Sequence, residues 1–132
     1  MKKNKNLGWI IIIEGFSGAG KTTLAKKLLK FISKKIGLTV LLDGDYIRTF
    51  MDSINFKMGY SKSDRGKKAA LPVAKLINIF LKNNINIIYP NVGLNKSATK
   101  IWYKNFKNII YIQISSEIDQ IIKFNKKDLY KK

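Results

Sequence analysis

Residues Gly15 to Thr22 read Gly-Phe-Ser-Gly-Ala-Gly-Lys-Thr, a full match to the pattern G-x-x-x-x-G-K-[ST]. This stretch constrains the fold because it works only between a buried strand and a helix. Its glycines let the backbone turn so tightly that successive amide groups point inward, a concavity suited to phosphate oxygens. A helix opening at Lys21 adds the positive end of its dipole. Both flanks satisfy the requirement. Trp9 to Glu14 is a continuous apolar run rich in β-branched residues, the mark of a strand buried on both faces. Lys21 to Ile36 then sets Leu24, Leu28, Leu29 and Ile32 at helical spacing, with Gly37 as its terminator. With this composition the four fixed positions would meet by chance in roughly one chain in a hundred.

Strand and helix signals alternate through the remainder. Val40 to Leu42 predicts a short strand running into Asp43-Gly44-Asp45, and Tyr46 to Met51 a short helix with a loop to Gly59. Lys67 to Asn83 predicts a longer helix, with Pro72 as an alternative first turn. Ile85 to Tyr89 reads as a strand, Lys96 to Phe106 as a helix, Asn108 to Ile114 as a strand and Glu117 to Phe124 as a last helix. The expected architecture is α/β, a P-loop three-layer fold with a mostly parallel sheet flanked by helices, in one domain over residues 1–132. Ligands of such sheets sit outside the carboxyl ends of the strands, so the loops after Glu14 and Leu42 are expected side by side.

Composition narrows the chemistry. Neither cysteine nor histidine occurs, which excludes disulfide frameworks, thiolate nucleophiles, zinc clusters and histidine-based triads. The formal charge is +18, carried by 26 basic residues of which only Arg48 and Arg65 are arginine. The lysines are scattered along the chain, so a solvated surface is favoured over a nucleic-acid partner. The apolar run near the amino terminus is too short for a secretory signal and is interrupted by Glu14. No segment has the roughly 20 apolar residues of a membrane span. The expectation is a cytoplasmic protein without a membrane association.

The reactive groups are therefore few. Gly15, Ser17, Gly18, Ala19, Gly20, Lys21, Thr22 and Thr23 form the expected nucleotide cradle, with Lys21 reaching the terminal phosphates and Thr22 offering a hydroxyl to magnesium. Phosphoryl transfer also needs a carboxylate, to hold the metal's water shell or to orient the attacking hydroxyl. Among eight acidic residues, Asp43 and Asp45 are the best placed, with Asp43 joining Thr22 on the metal side. Arg48 and Arg65 stand out in a lysine-rich chain because a planar guanidinium grips oxyanions at two points. A GTPase is disfavoured: Asn95-Lys96-Ser97-Ala98 has alanine where a guanine-reading carboxylate belongs, and no Asp-x-x-Gly occurs.

Three motifs in order resemble the adenylylsulfate kinase family: Gly15 to Ala25, then Leu42-Asp43-Gly44-Asp45-Tyr46-Ile47-Arg48, then Gly59-Tyr60-Ser61-Lys62-Ser63-Asp64-Arg65. Lys127-Asp128-Leu129-Tyr130 is a weaker echo of a fourth. The resemblance implies ATP and Mg2+ as cofactors and a small-molecule nucleotide as substrate, phosphorylated on its 3′-hydroxyl in sulfate assimilation. It implies Asp45 and Lys21 as catalytic groups, with Asp45 facing the acceptor hydroxyl. Arg48 and Arg65 would hold the acceptor's anionic tail, Tyr60 would stack on its base, and Lys127 and Tyr130 would belong to a cover over the nucleotides. Departures fall on the acceptor side. Gly66-Lys67-Lys68 replaces a family asparagine and paired arginines, Val92-Gly93 stands at the usual Ile-Ser, and Phe124 stands where an arginine is usual. The family also continues beyond the point where Lys132 falls, so the carboxyl-terminal part of its domain is expected to be missing. These departures keep two alternatives open. One is a kinase for another nucleotide, such as cytidine diphosphoramidate in capsule biosynthesis. The other is a catalytically silent nucleotide-binding or nucleic-acid-binding module. A homodimer is the assembly to look for.

Overall fold

The computed structural model describes residues 7–54, 62–91 and 96–115, with the side chains of Arg48 and of residues 62–69 outside that description. The elements are β1 (Ile10–Glu14), α1 (Lys21–Lys35), β2 (Thr39–Leu41), α2 (Gly44–Ser53), α3 (Lys62–Lys82), β3 (Asn86–Asn91), α4 (Lys96–Asn105) and β4 (Ile109–Gln113). The helix expected over Glu117 to Phe124 lies outside the described residues.

All pairings are parallel, in the order β2-β3-β1-β4. Ile12 lies opposite Tyr89 on one side and Tyr111 on the other, and Glu14 opposite Asn91 and Gln113. Because side chains alternate across a strand, β1 feeds two cores. Ile10 and Ile12 join Ile87 and Tyr89 against Val73, Ala74, Ile77 and Leu81 of α3 and Ala98 and Trp102 of α4. Ile11 and Ile13 join Ile88 against Ala25 and Ile32 of α1. The result is helix, sheet, helix. Each fully buried isoleucine contributes about 1.5–3 kcal/mol relative to exposure.

Two elements carry a proline where the sequence places a boundary, for identifiable reasons. β3 runs on through Pro90, a residue that lacks a ladder donor. Ile87 donates to Trp9 on the β1 side, while Asn86 donates to Leu38 on the β2 side, so even-numbered residues face β2. The paired residues of β2 stop at Leu41, opposite Ile88, and Pro90 therefore faces no strand whose carbonyl it could fail to reach. Likewise α3 starts at Lys62 and carries Pro72 inside it, not at its first turn. A proline there removes one helical hydrogen bond, a penalty of about 3 kcal/mol. The five buried side chains Ala70, Val73, Ala74, Ile77 and Leu81 outweigh it.

Trp102 buries its indole N–H without an acceptor among the described residues. Its ring stacks on Phe106 and meets Tyr89 edge-on, each at a centroid distance of 5.8 Å. Such contacts are worth about 0.5–1.5 kcal/mol each, comparable with the penalty of about 1–3 kcal/mol for an unmade hydrogen bond. Replacement Ile12→Ala, at the centre of the sheet, is expected to lower unfolding free energy by about 2–5 kcal/mol, read from the urea midpoint at unchanged slope.

Candidate phosphate and acceptor site

Every strand ends on the same edge, and the chemistry-bearing loops open there. Their order departs from the expectation of neighbouring loops. β3 stands between β1 and β2, so the loops after Glu14 and Leu42 lie two strand spacings apart, about 10 Å. Burial explains the order: Asn86 to Pro90 is buried throughout and takes a central position, whereas the short β2 is only partly buried and takes the edge.

The loop from Gly15 to Gly20 folds as the motif requires. Gly18 and Gly20 adopt left-handed φ values of 84° and 94°, which side-chain-bearing residues rarely reach. Gly15 is needed for a different reason, since a Cβ there would stand 2.8 Å from the Ile114 carbonyl oxygen. The Lys21 ammonium donates to the carbonyls of Gly15 at 3.0 Å and Phe16 at 2.8 Å, so it lies back across the loop entrance. Lys21 and Ser17 are buried, while Thr22 and Thr23 are exposed at the start of α1. Gly20, with no side chain to cap the helix, leaves the first-turn amides directed at whatever occupies the loop.

On the far side of β3, Asp43 is the N-cap of α2, and its carboxylate accepts from the Asp45 amide at 2.8 Å. Helix α2 thus begins at Gly44, two residues ahead of the expected Tyr46, because this cap satisfies an amide that would otherwise be orphaned. Asp45 stands in its first turn, where the dipole favours a carboxylate. The turn is seated on β3: a Cβ on Gly44 would be 3.2 Å from the Pro90 carbonyl oxygen and 3.5 Å from Asn91 Oδ1.

An anion-binding loop and a carboxylate-bearing turn on one parallel sheet suit phosphoryl transfer, and comparison with known proteins gives the family. The family model described as adenylylsulphate kinase matches residues 7–132. The chain belongs to the adenylylsulphate kinase family. It is 31% identical over 127 residues to an adenylyl-sulfate kinase of Bacteroides thetaiotaomicron, covering 93% of this chain and 60% of that protein. A cytidine diphosphoramidate kinase of Campylobacter jejuni is 27% identical over 130 residues, covering 97% and 72%. Among solved structures, the Mycobacterium tuberculosis APS kinase in complex with AMPPNP and APS superposes with a TM-score of 0.75 at 19% identity, over 94% of this chain and 72% of that one, a likeness of fold. This chain spans about three-fifths of the length of the first curated relatives, 60% and 62%.

Within this member of the adenylylsulphate kinase family, helix α2 carries Arg48 and the first turn of α3 carries Arg65. Tyr60, Lys127 and Tyr130 lie outside the described residues. The sequence motifs assign no role to Glu14 or Tyr89. Glu14 is buried at 3% exposure as the last residue of β1, and the Tyr111 hydroxyl donates to its carboxylate. Burial first, and then that hydrogen bond, raises the Tyr111 pKa. Tyr89 is raised by burial, followed by the negative charges of Glu14, Asp43 and Asp45, so its phenol stands where loop and turn act together. The available signal was a single carboxylate closing an apolar strand directly before the glycine loop. Among the described residues no group of three or more histidine, cysteine, aspartate or glutamate side chains is placed to hold a metal, and no helix is long and apolar enough to cross a membrane.

Replacement Gly15→Ala is expected to push β4 from the loop. The outcome is a loss of about 1–3 kcal/mol in stability together with weakened binding of a nonhydrolysable ATP analogue, measured by thermal unfolding and calorimetry.

Proposed function

We propose that this chain is an ATP-dependent kinase that phosphorylates the 3′-hydroxyl of a nucleotide with an anionic tail, adenosine 5′-phosphosulfate first among them. The observation that supports it most is the pairing, on one sheet edge, of a phosphate loop closed by Lys21 with a capped Asp43-Gly44-Asp45 turn. The loop amides and the α1 dipole bind the polyphosphate, and Lys21 exchanges the Gly15 and Phe16 carbonyls for terminal phosphate oxygens. Asp45 orients the acceptor hydroxyl, and Arg48 and Arg65 hold the acceptor's tail.

The donor set suits magnesium. Thr22 and Asp43 are oxygen ligands only, and the exposed Thr22 leaves room for a cation that retains several waters. When bound, the ion neutralises charge on the phosphates. Asp43 is pre-oriented for such a role because the Asp45 amide fixes one of its oxygens.

A second acceptor is supported by the similarity to the Campylobacter jejuni cytidine diphosphoramidate kinase and by the departures at Gly66 to Lys68 and Val92-Gly93. A coupled assay with both acceptors separates the readings. Preference for adenosine 5′-phosphosulfate is expected, and a strong preference for the cytidine compound transfers the assignment. Lys21→Ala is expected to keep its circular dichroism spectrum and to lose roughly a hundredfold or more in kcat. Full activity of that folded variant would refute the kinase reading.

A further inference from the structure

Two tyrosines flank Ile12 on the same face of the sheet, Tyr89 from β3 and Tyr111 from β4. Their hydroxyls differ. Tyr111 donates to Glu14 and lies 3.4 Å from Thr99 Oγ1. No hydrogen bond engages the Tyr89 hydroxyl among the described residues, although Tyr89 is only 5% exposed. The hydroxyl is not sealed in, since the Trp102 indole nitrogen is the buried side-chain atom without a partner among the described residues, so the Tyr89 oxygen can be met by a ligand. The Tyr89 ring is held edge-on against Trp102. Its hydroxyl reaches to 3.5 Å from the position a Cβ on Gly44 would take, directly under the carboxylate-bearing turn.

The surroundings define what this hydroxyl can meet. Glu14, Asp43 and Asp45 all act on it, and ionised carboxylates only accept hydrogen bonds. An anionic ligand group would be repelled there. The fitting chemistry is an O–H group, which donates to a carboxylate while exchanging a second hydrogen bond with a neutral phenol. Two sources offer one: a sugar hydroxyl and a water on a divalent cation. Tyr89 lies on the sheet face shared with α3 and α4, opposite the face on which α1 packs. That placement favours the sugar of the acceptor.

We propose that Tyr89 is a specificity residue for the acceptor's sugar, bonding the hydroxyl adjacent to the one that receives the phosphoryl group. This rests on the kinase reading above and deepens it. Asp45 takes the reacting 3′-hydroxyl, and Tyr89, beneath the same turn, takes the 2′-hydroxyl. The site therefore demands a ribonucleotide.

The test is Tyr89→Phe, which keeps the ring against Trp102 and removes one oxygen. Wild type and variant are assayed with adenosine 5′-phosphosulfate, with its 2′-deoxy counterpart, and across a magnesium titration, with acceptor binding followed by calorimetry. The variant is expected to unfold at or above the wild-type temperature. Its KM for the ribonucleotide should rise roughly five- to tenfold, the worth of one neutral hydrogen bond. Its KM for the deoxynucleotide and its magnesium half-saturation should stay unchanged, so that the wild-type preference for ribose disappears. Equal losses on both acceptors, or no change on either, would overturn the proposal. So would a shifted magnesium half-saturation with the ribose preference intact, which would assign the hydroxyl to the cation's water shell. A wild-type chain that neither binds nor phosphorylates either acceptor would instead overturn the kinase reading itself, and this inference with it.

Discussion

At the carboxyl end of β1 the Ile114 amide donates to the Glu14 carbonyl at 2.8 Å, and one residue later Gly15 passes so close to the Ile114 carbonyl that no side chain fits between them. This contact converts a strand into a loop at a defined place. Below it, Ile10 to Ile13 are buried on both faces and hold β1 rigid. Above it, Gly18 and Gly20 turn the backbone through left-handed conformations, and Lys21 ties the loop to its own entrance. A glycine loop without that support would be a flexible turn. Clamped between β1 and β4, it presents its amides in one arrangement, which electrostatic recognition of a polyphosphate requires.

The same end of the sheet concentrates negative charge, although the chain as a whole carries +18. Glu14, Asp43 and Asp45 come from two different strand ends, and their charges all act on Tyr89. Burying carboxylates is unfavourable unless each gains hydrogen bonds. Glu14 has the Tyr111 hydroxyl, and Asp43 has the Asp45 amide. The scattered lysines lend the protein a long-range attraction for anionic nucleotides, while the local carboxylates decide what can sit at the centre. Under the proposed function, steering and selection fall to different residues.

Membership of the adenylylsulphate kinase family accounts for the scaffold, and the departures from its pattern locate this chain's own character. The departures read from the sequence fall at Gly66 to Lys68, Val92-Gly93 and Phe124. The phosphate loop keeps the family pattern in full from Gly15 to Ala25.

Much of this was legible in the residues themselves. The glycine spacing, the β-branched run before it and the leucines after it specify strand, loop and helix locally, because φ freedom and side-chain periodicity are properties of short segments. Asp43-Gly44-Asp45 could be read as a turn closing the second strand for the same reason. What the sequence could not supply was which segments become neighbours. The central place of β3, and with it the distance between loop and turn, follows from competition among strands for the most buried slot, and every strand enters that comparison. Pro72 reads as an alternative first-turn residue and the third strand as ending at Tyr89, yet Pro72 is carried inside a packed helix and Pro90 beside an unpaired strand edge. Glu14 and Tyr89 acquire meaning only from partners far along the chain, Tyr111 and the Asp43 turn. Local conformation is written in the chain; long-range proximity is decided by burial, which only the assembled sheet resolves.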